Sequence, residues 1–195
     1  MKARRTVPAA LLAPLALLLG TSLGPGPARA EGASGAFKAE MPFAITSCGQ
    51  SLDAETVSLL AKRNKLEHTF DNVLKAEGLA GMKTLVVAMG GSAKGLGEAG
   101  IDEKGELART DRLLEAAKKQ KVKVIGVHIG GESRKGALSD KFIDPVVARA
   151  DYLIVTEDSD KNGSFSKAAR ERKIPVSVVK KSVDVGKALK DVFSR

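Results

Sequence analysis

Short apolar runs alternate with amphipathic stretches along most of the chain. The runs Thr84–Met89 and Tyr152–Thr156 are almost wholly apolar, as strands are when helices cover both faces of their sheet. Between the runs, apolar side chains recur at the three- and four-residue spacing of amphipathic helices. The predicted strands are Phe43–Thr46, Thr84–Met89, Val122–Ile129, Tyr152–Thr156 and Pro175–Val179, with His68–Val73 as a short edge strand.

Polar capping residues set the limits of the helices predicted between these strands. Ser51 and Asp102 are predicted to cap helices over about 52–66 and 103–119, because short polar side chains accept from the first unpaired N–H groups. Asp144 and Pro145 look like the N-cap and first residue of a short helix that ends near residue 150. The last two helices are predicted with Phe165, Ala168 and Ala169 inward, and with Ser182 as cap and Val185, Leu189 and Val192 inward.

The alternation of strands and helices predicts the fold class. It is typical of a doubly wound α/β fold, whose parallel strands are joined by right-handed crossovers. We expect a mostly parallel sheet of five or six strands in a three-layer, flavodoxin-like or Rossmann-like sandwich. Since no internal repeat or linker divides the pattern, residues 42–195 are predicted to form one domain.

The N-terminal residues have the layout of a secretory signal peptide. A basic start is followed by an apolar run over 9–19 and by the small-x-small site Ala28-Arg29-Ala30. That run is too short to span a membrane, and no later stretch is long and apolar enough. We therefore predict a cleaved signal peptide over 1–30, a flexible leader over 31–41, and export to the periplasm or the extracellular space.

The charge balance and the cysteine and histidine counts narrow the function classes. Removing the four basic residues of the signal peptide from a total of 32 leaves 28 against 23 acidic residues, a net charge of about +5. Aromatic residues make up only 4% of the chain and are not interleaved with basic runs, which argues against nucleic acid. One cysteine allows no internal disulfide. The two histidines, His68 and His128, have no closely spaced partner, so no metal site is predicted.

Four unusual loops follow predicted strands. They cover residues 47–51, 90–100, 130–136 and 157–163, and they are rich in glycine or polar residues. In open parallel sheets, ligands bind outside the carboxyl ends of the strands. We therefore expect the four loops to line one ligand-binding edge.

The same loops carry a family resemblance. The segments Thr46–Ser51, Gly90–Gly97, His128–Gly136 and Ala150–Val155 occur in this order. Together they resemble a family of exported bacterial proteins classed as a domain of unknown function. The resemblance covers essentially all of the chain after the signal peptide, and it implies export and an α/β fold. It implies no activity and no cofactor.

Two nucleotide motifs are partly matched by the loop over 90–100. Gly95, Gly97 and Gly100 fit G-x-G-x-x-G, but the motif begins several residues after the strand, and His128 stands where an acidic residue should close the next strand. A P-loop fails because Gly95 follows Lys94 in place of the required serine or threonine. Neither motif indicates a nucleotide site.

A site for a small anionic or polar molecule is the leading hypothesis. Serine hydroxyls and basic side chains supply donors, and the helix after Ser51 adds its N-terminal N–H groups. The alternative is that the glycines only form tight turns while the charges face water. The candidate ligand-binding residues are Ser47, Gln50, Ser51, Gly91, Ser92, Lys94, His128, Glu132, Ser133 and Arg134.

A catalytic site is the second hypothesis. Cys48 lies at a strand end before a helix, where a thiolate nucleophile is favoured, and His128 ends another strand and is a candidate base. The alternative is that Cys48 is a packing residue and His128 a hydrogen-bonded one. The function hypotheses are thus ligand binding without chemistry, a small hydrolase or transferase at the same loops, and an envelope protein-interaction module. The sequence indicates neither a cofactor nor an oligomeric state.

Overall fold

Six parallel strands form one sheet in the computed structural model, which describes residues 37–194. The sheet order is β2-β1-β3-β4-β5-β6. It extends the flavodoxin-like order by one strand, so the doubly wound α/β prediction is confirmed. The strands are β1 (Phe43–Cys48), β2 (Thr69–Phe70), β3 (Thr84–Met89), β4 (Lys123–His128), β5 (Tyr152–Thr156) and β6 (Val176–Val179).

Helices cover both faces of the sheet. One face packs against α1 and α6 through side chains such as Val57 and Leu189, and the other packs against α3, α4 and α5 through side chains such as Leu114 and Phe142. These two apolar layers explain why the central strands are buried on both sides. The helices are α1 (Asp53–Arg63), α2 (Ala93–Glu98), α3 (Glu103–Gln120), α4 (Ala137–Val147), α5 (Ser164–Arg172) and α6 (Val185–Phe193).

The predicted signal peptide and residues 31–36 of the predicted leader lie outside the described residues. The rest of the leader contacts the domain. The Ala39 N–H donates to the Val192 carbonyl at 2.8 Å, and the Phe37 ring stacks on Tyr152 with centroids 4.8 Å apart.

The helix predicted to begin at Asp144 is wrong in its limits. Instead, α4 begins at Ala137, and Pro145 lies in its last turn. Phe142 and Val146 are fully buried on its inner face, and this packing outweighs the one helical hydrogen bond that proline cannot make. Pro145 therefore marks the end of this helix and not, as predicted, its start.

Two predicted N-caps are also wrong, and one is confirmed. Asp102 accepts from the Gly105 N–H at 2.6 Å and caps α3 as expected. Leu52, not Ser51, stands at the N-cap of α1, and it makes no capping bond through its side chain. Ser182 begins a short 3-10 turn, and Asp184 precedes α6. The Ser51 hydroxyl is instead buried against the neighbouring loop.

Candidate functional site

The carboxyl ends of β1, β3, β4 and β5 follow one another in the sheet, so the loops after them lie along one edge. We call this edge the rim. Gln50 and Gly91 form a β-bridge between the first and second loops. The Gly131 N–H donates to the Ser159 hydroxyl at 3.2 Å and joins the third loop to the fourth. The four loops of the rim are therefore joined in two pairs, the first with the second and the third with the fourth.

The direction of winding reverses at β1, which has β2 on one side and β3 on the other. Ligands of doubly wound sheets bind at such a point. Here Ser51, Asp53, Gly90, Gly130 and Arg134 lie close together, and we call the place where they meet the switch-point crevice.

Glycine allows close packing on two sides of this crevice. A Cβ atom at Gly90 would lie 3.1 Å from Ser51 Oγ and 3.6 Å from Asp53 Oδ2. A Cβ atom at Gly130 would lie 2.6 Å from Arg134 Cβ, 2.7 Å from Arg134 Cγ and 3.2 Å from the same Asp53 oxygen. Both glycines thus let the loop backbone pack directly against polar oxygens of the first loop and α1.

Those oxygens are buried without hydrogen-bond partners. Ser51 Oγ and Asp53 Oδ2 have no partner among the described residues, and Ser51 is only 3% exposed. Buried polar atoms are normally hydrogen-bonded, because an unmet bond costs about 1–3 kcal/mol. Burial raises the pKa of the Asp53 carboxyl, while the positive charge of Arg134 and the neighbouring Ser51 hydroxyl oppose the rise. The crevice therefore offers unmet hydrogen-bonding capacity.

The N-terminus of α1 adds donors beside these oxygens. No side chain caps α1, whereas Ser92 caps α2 by accepting from Gly95 at 3.0 Å and Asp102 caps α3. The first N–H groups of α1 consequently face the loop without a side-chain acceptor. They can donate to a carbonyl, hydroxyl or anionic group of a ligand.

The charged residues predicted for the ligand site differ in their surroundings. Arg134 is exposed, and its guanidinium makes no hydrogen bond or ion pair with any part of the chain that the structure describes. Lys94 is exposed at 87% and lies 3.6 Å from Glu98. Glu132 pairs with Lys135 at 3.0 Å, while Ser133 is exposed. Of this group, only Arg134 is placed at the crevice.

Gln50 is held in place by a buried ion pair that the sequence analysis missed. Its amide donates to Glu106 Oε1 at 3.0 Å, and that carboxylate pairs with Arg109 at 2.7 Å. The fully buried Ser47 lies in the last residues of β1, just before this loop, and its carbonyl accepts from Arg109 at 2.6 Å. Glu106, Arg109 and the buried Leu113 recur at helical spacing. Two charged residues on the apolar stripe of a helix were the sequence signal that could have indicated a buried ion pair.

His128 belongs to a buried hydroxyl network. Its Nδ1 lies 2.8 Å from Ser159 Oγ, which is 2.7 Å from the Thr156 hydroxyl. Burial, together with the charge of Lys135, lowers the pKa of His128 to about 4. His128 is therefore neutral at pH 7. It links the third and fourth loops and does not line the crevice.

We predict that His128 lowers the free energy of unfolding as the solution becomes more acidic. Its pKa is about 4 in the folded chain against 6.5 for a free histidine, so its contribution is complete above pH 6.5 and is lost as the pH falls towards 4. The loss approaches about 3 kcal/mol, since each pKa unit is worth about 1.4 kcal/mol. Urea unfolding at several pH values measures it. His128→Asn should flatten this dependence, and an unchanged slope would contradict the prediction.

Cys48 and His128 do not form the predicted catalytic pair. Cys48 pairs with Met89 of β3, and β3 separates β1 from β4, which places the two residues about 10 Å apart in the sheet. The Cys48 thiol donates to the Phe142 carbonyl at 3.2 Å, and burial raises its pKa to about 12. The thiol therefore stays protonated and is a packing group in this structure.

The chain belongs to the family described as a domain of unknown function, DUF6305, which it matches over residues 40–193. No curated protein and no solved structure matches it. Over residues 37–194, no three histidine, cysteine, aspartate or glutamate side chains cluster as metal ligands do. Within the same span, none of the helices has the length and apolar character needed to cross a membrane.

Proposed function

We propose that the chain is an exported α/β domain that binds a small polar ligand in the switch-point crevice. The observation that carries the binding proposal is the pair of buried, unpartnered oxygens, Ser51 Oγ and Asp53 Oδ2, which lie beside Gly90 and Gly130 at the switch point. Export rests on the N-terminal pattern of charge, apolar run and cleavage site.

The crevice favours a ligand with both a donor and an anionic or carbonyl group. The Asp53 carboxylate accepts a hydrogen bond from a hydroxyl or ammonium group. The Arg134 guanidinium and the first N–H groups of α1 suit an anionic or carbonyl group. A purely anionic ligand would meet the negative charge of Asp53, so a molecule bearing both kinds of group fits best.

Binding should depend on the crevice residues. Wild type is first screened by thermal shift against sugars, amino acids, nucleotides and inorganic anions, since binding raises apparent stability. For a compound that shifts the wild type, calorimetry should show at least a tenfold loss of affinity in Asp53→Asn and in Arg134→Ala, about 1.4 kcal/mol each.

Arg63→Ala is the matched control, because Arg63 is exposed at the opposite end of α1. It should bind as the wild type does. Equal affinity in Asp53→Asn, Arg134→Ala and wild type would place the compound elsewhere and refute the proposal.

A further inference from the structure

A second pocket lies at the opposite edge of the sheet from the rim. Its volume is about 600 Å³, within the range of about 300–1,000 Å³ typical of small-molecule sites. It is bounded by Lys123 at the start of β4 and by Asp151 just before β5, so it opens at the amino-terminal ends of the strands. The crevice lies at the carboxyl ends, and the two sites are separate. We call this second site the amino-edge pocket.

Arg172 is fixed in this pocket without a carboxylate partner. Its Nη1 donates to the Val147 carbonyl at 2.5 Å and to the Ala150 carbonyl at 2.7 Å. Its Nε and Nη2 groups have no acceptor within residues 37–194. A guanidinium presents these two N–H groups in a fixed fork that matches a carboxylate or phosphate. The carbonyl bonds hold Arg172 in place while this fork stays available.

The other lining charges leave the pocket positive. Lys123 pairs with Glu40 at 2.6 Å, and Arg149 pairs with Asp111. The remaining cations, Arg172, Lys118 and Lys121, have no ion pair with the residues that the structure describes, and Asp151 is the acidic residue in the lining. Asp151 is itself engaged, because it accepts from the Val124 N–H at 2.8 Å. The local excess of positive charge favours an anion.

Apolar groups complete the lining. Leu114, Val122 and the Phe37 ring contribute carbon surface to the pocket. Phe37 is fixed there by stacking on Tyr152, and Lys123 Nζ lies 5.9 Å from the centre of its ring. An inorganic ion alone would leave this carbon surface in water, whereas an organic anion would cover it.

We infer that the amino-edge pocket binds an organic anion, a carboxylate or phosphate carried on a small apolar body. The Nε and Nη2 groups of Arg172 hold the anionic group, Lys118 and Lys121 add long-range attraction, and the apolar body packs beside Phe37 and Leu114. This site is independent of the ligand proposed for the crevice.

The test is calorimetric titration of the full chain with phenyl phosphate at low ionic strength, with phenol and inorganic phosphate as partial probes. We expect a Kd of about 1 mM or tighter for phenyl phosphate, and binding at least tenfold weaker for each partial probe. Arg172→Lys should weaken phenyl phosphate binding at least tenfold, because lysine keeps the charge but lacks the fork. Arg170→Lys, on the same helix and exposed, should bind as wild type.

Two further variants make the result independent of folding defects. Lys118→Gln with Lys121→Gln changes only exposed side chains and should weaken binding several-fold, with a smaller dependence on salt. Arg134→Ala, in the crevice, should leave phenyl phosphate binding unchanged. The inference is overturned if phenyl phosphate does not bind, or if binding is lost in Arg134→Ala but kept in Arg172→Lys. Neither result contradicts the proposal for the crevice, which has its own test. Equal binding of phenol or inorganic phosphate overturns the inference as well.

Discussion

Replacing Arg109 with methionine is expected to lower the free energy of unfolding by about 3–5 kcal/mol, because it leaves Glu106 charged and buried without its partner. Glu106 is fully buried and Arg109 is 6% exposed. Arg109 Nε and Nη2 donate to the two carboxylate oxygens at 2.8 and 2.7 Å. The same guanidinium donates to the Leu74 and Ser47 carbonyls, so the variant also removes two donors from buried acceptors.

The Arg109→Met substitution should also destabilise the first loop, which contains Gly49, Gln50 and Ser51. Glu106 Oε1 accepts from the Gly49 N–H and from the Gln50 amide, each at 3.0 Å. Both loop residues have positive φ, 97° at Gly49 and 59° at Gln50. A non-glycine residue rarely adopts such a φ, so Glu106 stabilises a conformation that the sequence does not favour locally. This ion pair on α3 therefore holds Gly49 and Gln50, the two residues that precede Ser51.

Urea unfolding of Arg109→Met, beside Arg112→Met, measures this effect. Arg112 lies on the same helix but is exposed, and its replacement should change stability by less than about 0.5 kcal/mol. In Glu106→Leu/Arg109→Met the loss should be smaller than the sum of the two single losses, because no buried charge remains. If Arg109→Met matched Arg112→Met, the ion pair would not be stabilising the loop.

The strands could be predicted because their signal is local. Two of them, Thr84–Met89 and Tyr152–Thr156, begin and end at the residues where the apolar runs do, since burial on both sheet faces demands apolar residues throughout. Helix limits were less predictable. Pro145 is favourable at a helix start, and only the packing of Phe142 in the assembled core shows that the helix already covers the residues before it.

The candidate site was predictable as a region but not as a set of contacts. Parallel strands bring their carboxyl ends to one edge, so the four loops could be placed together from the sequence. Which side chains meet there depends on contacts between distant residues, such as Glu106 with Gly49. Cys48 and His128 both end strands, yet the sheet order puts β3 between them. Strand order is not encoded in local periodicity, so their separation could not be predicted.

The glycine-rich loop over 90–100 has a structural explanation in its contacts with the first loop. The Ser92 N–H donates to the Gly49 carbonyl at 2.8 Å, and Gln50 forms a β-bridge with Gly91. A Cβ atom at Gly95 would overlap the backbone oxygen of Gln50 well inside van der Waals distance. Gly97 belongs to the same short helix, but a Cβ atom there would meet nothing within 4 Å. These two of the three glycines in the apparent nucleotide motif thus differ in what they contribute.

Gly95→Ala is accordingly expected to cost more than about 3 kcal/mol, beyond the usual cost of overpacking, because the atom it meets belongs to the backbone and cannot rotate away. Gly97→Ala, the matched control, should leave stability unchanged or raise it by up to about 1 kcal/mol, as alanine favours the helix. Urea unfolding of both variants measures the role of each glycine in packing, and the binding assay for the crevice measures any role in ligand binding. If Gly95→Ala is as stable as Gly97→Ala, the first two loops do not pack this closely. In that case, the glycines of this stretch are free to serve a ligand.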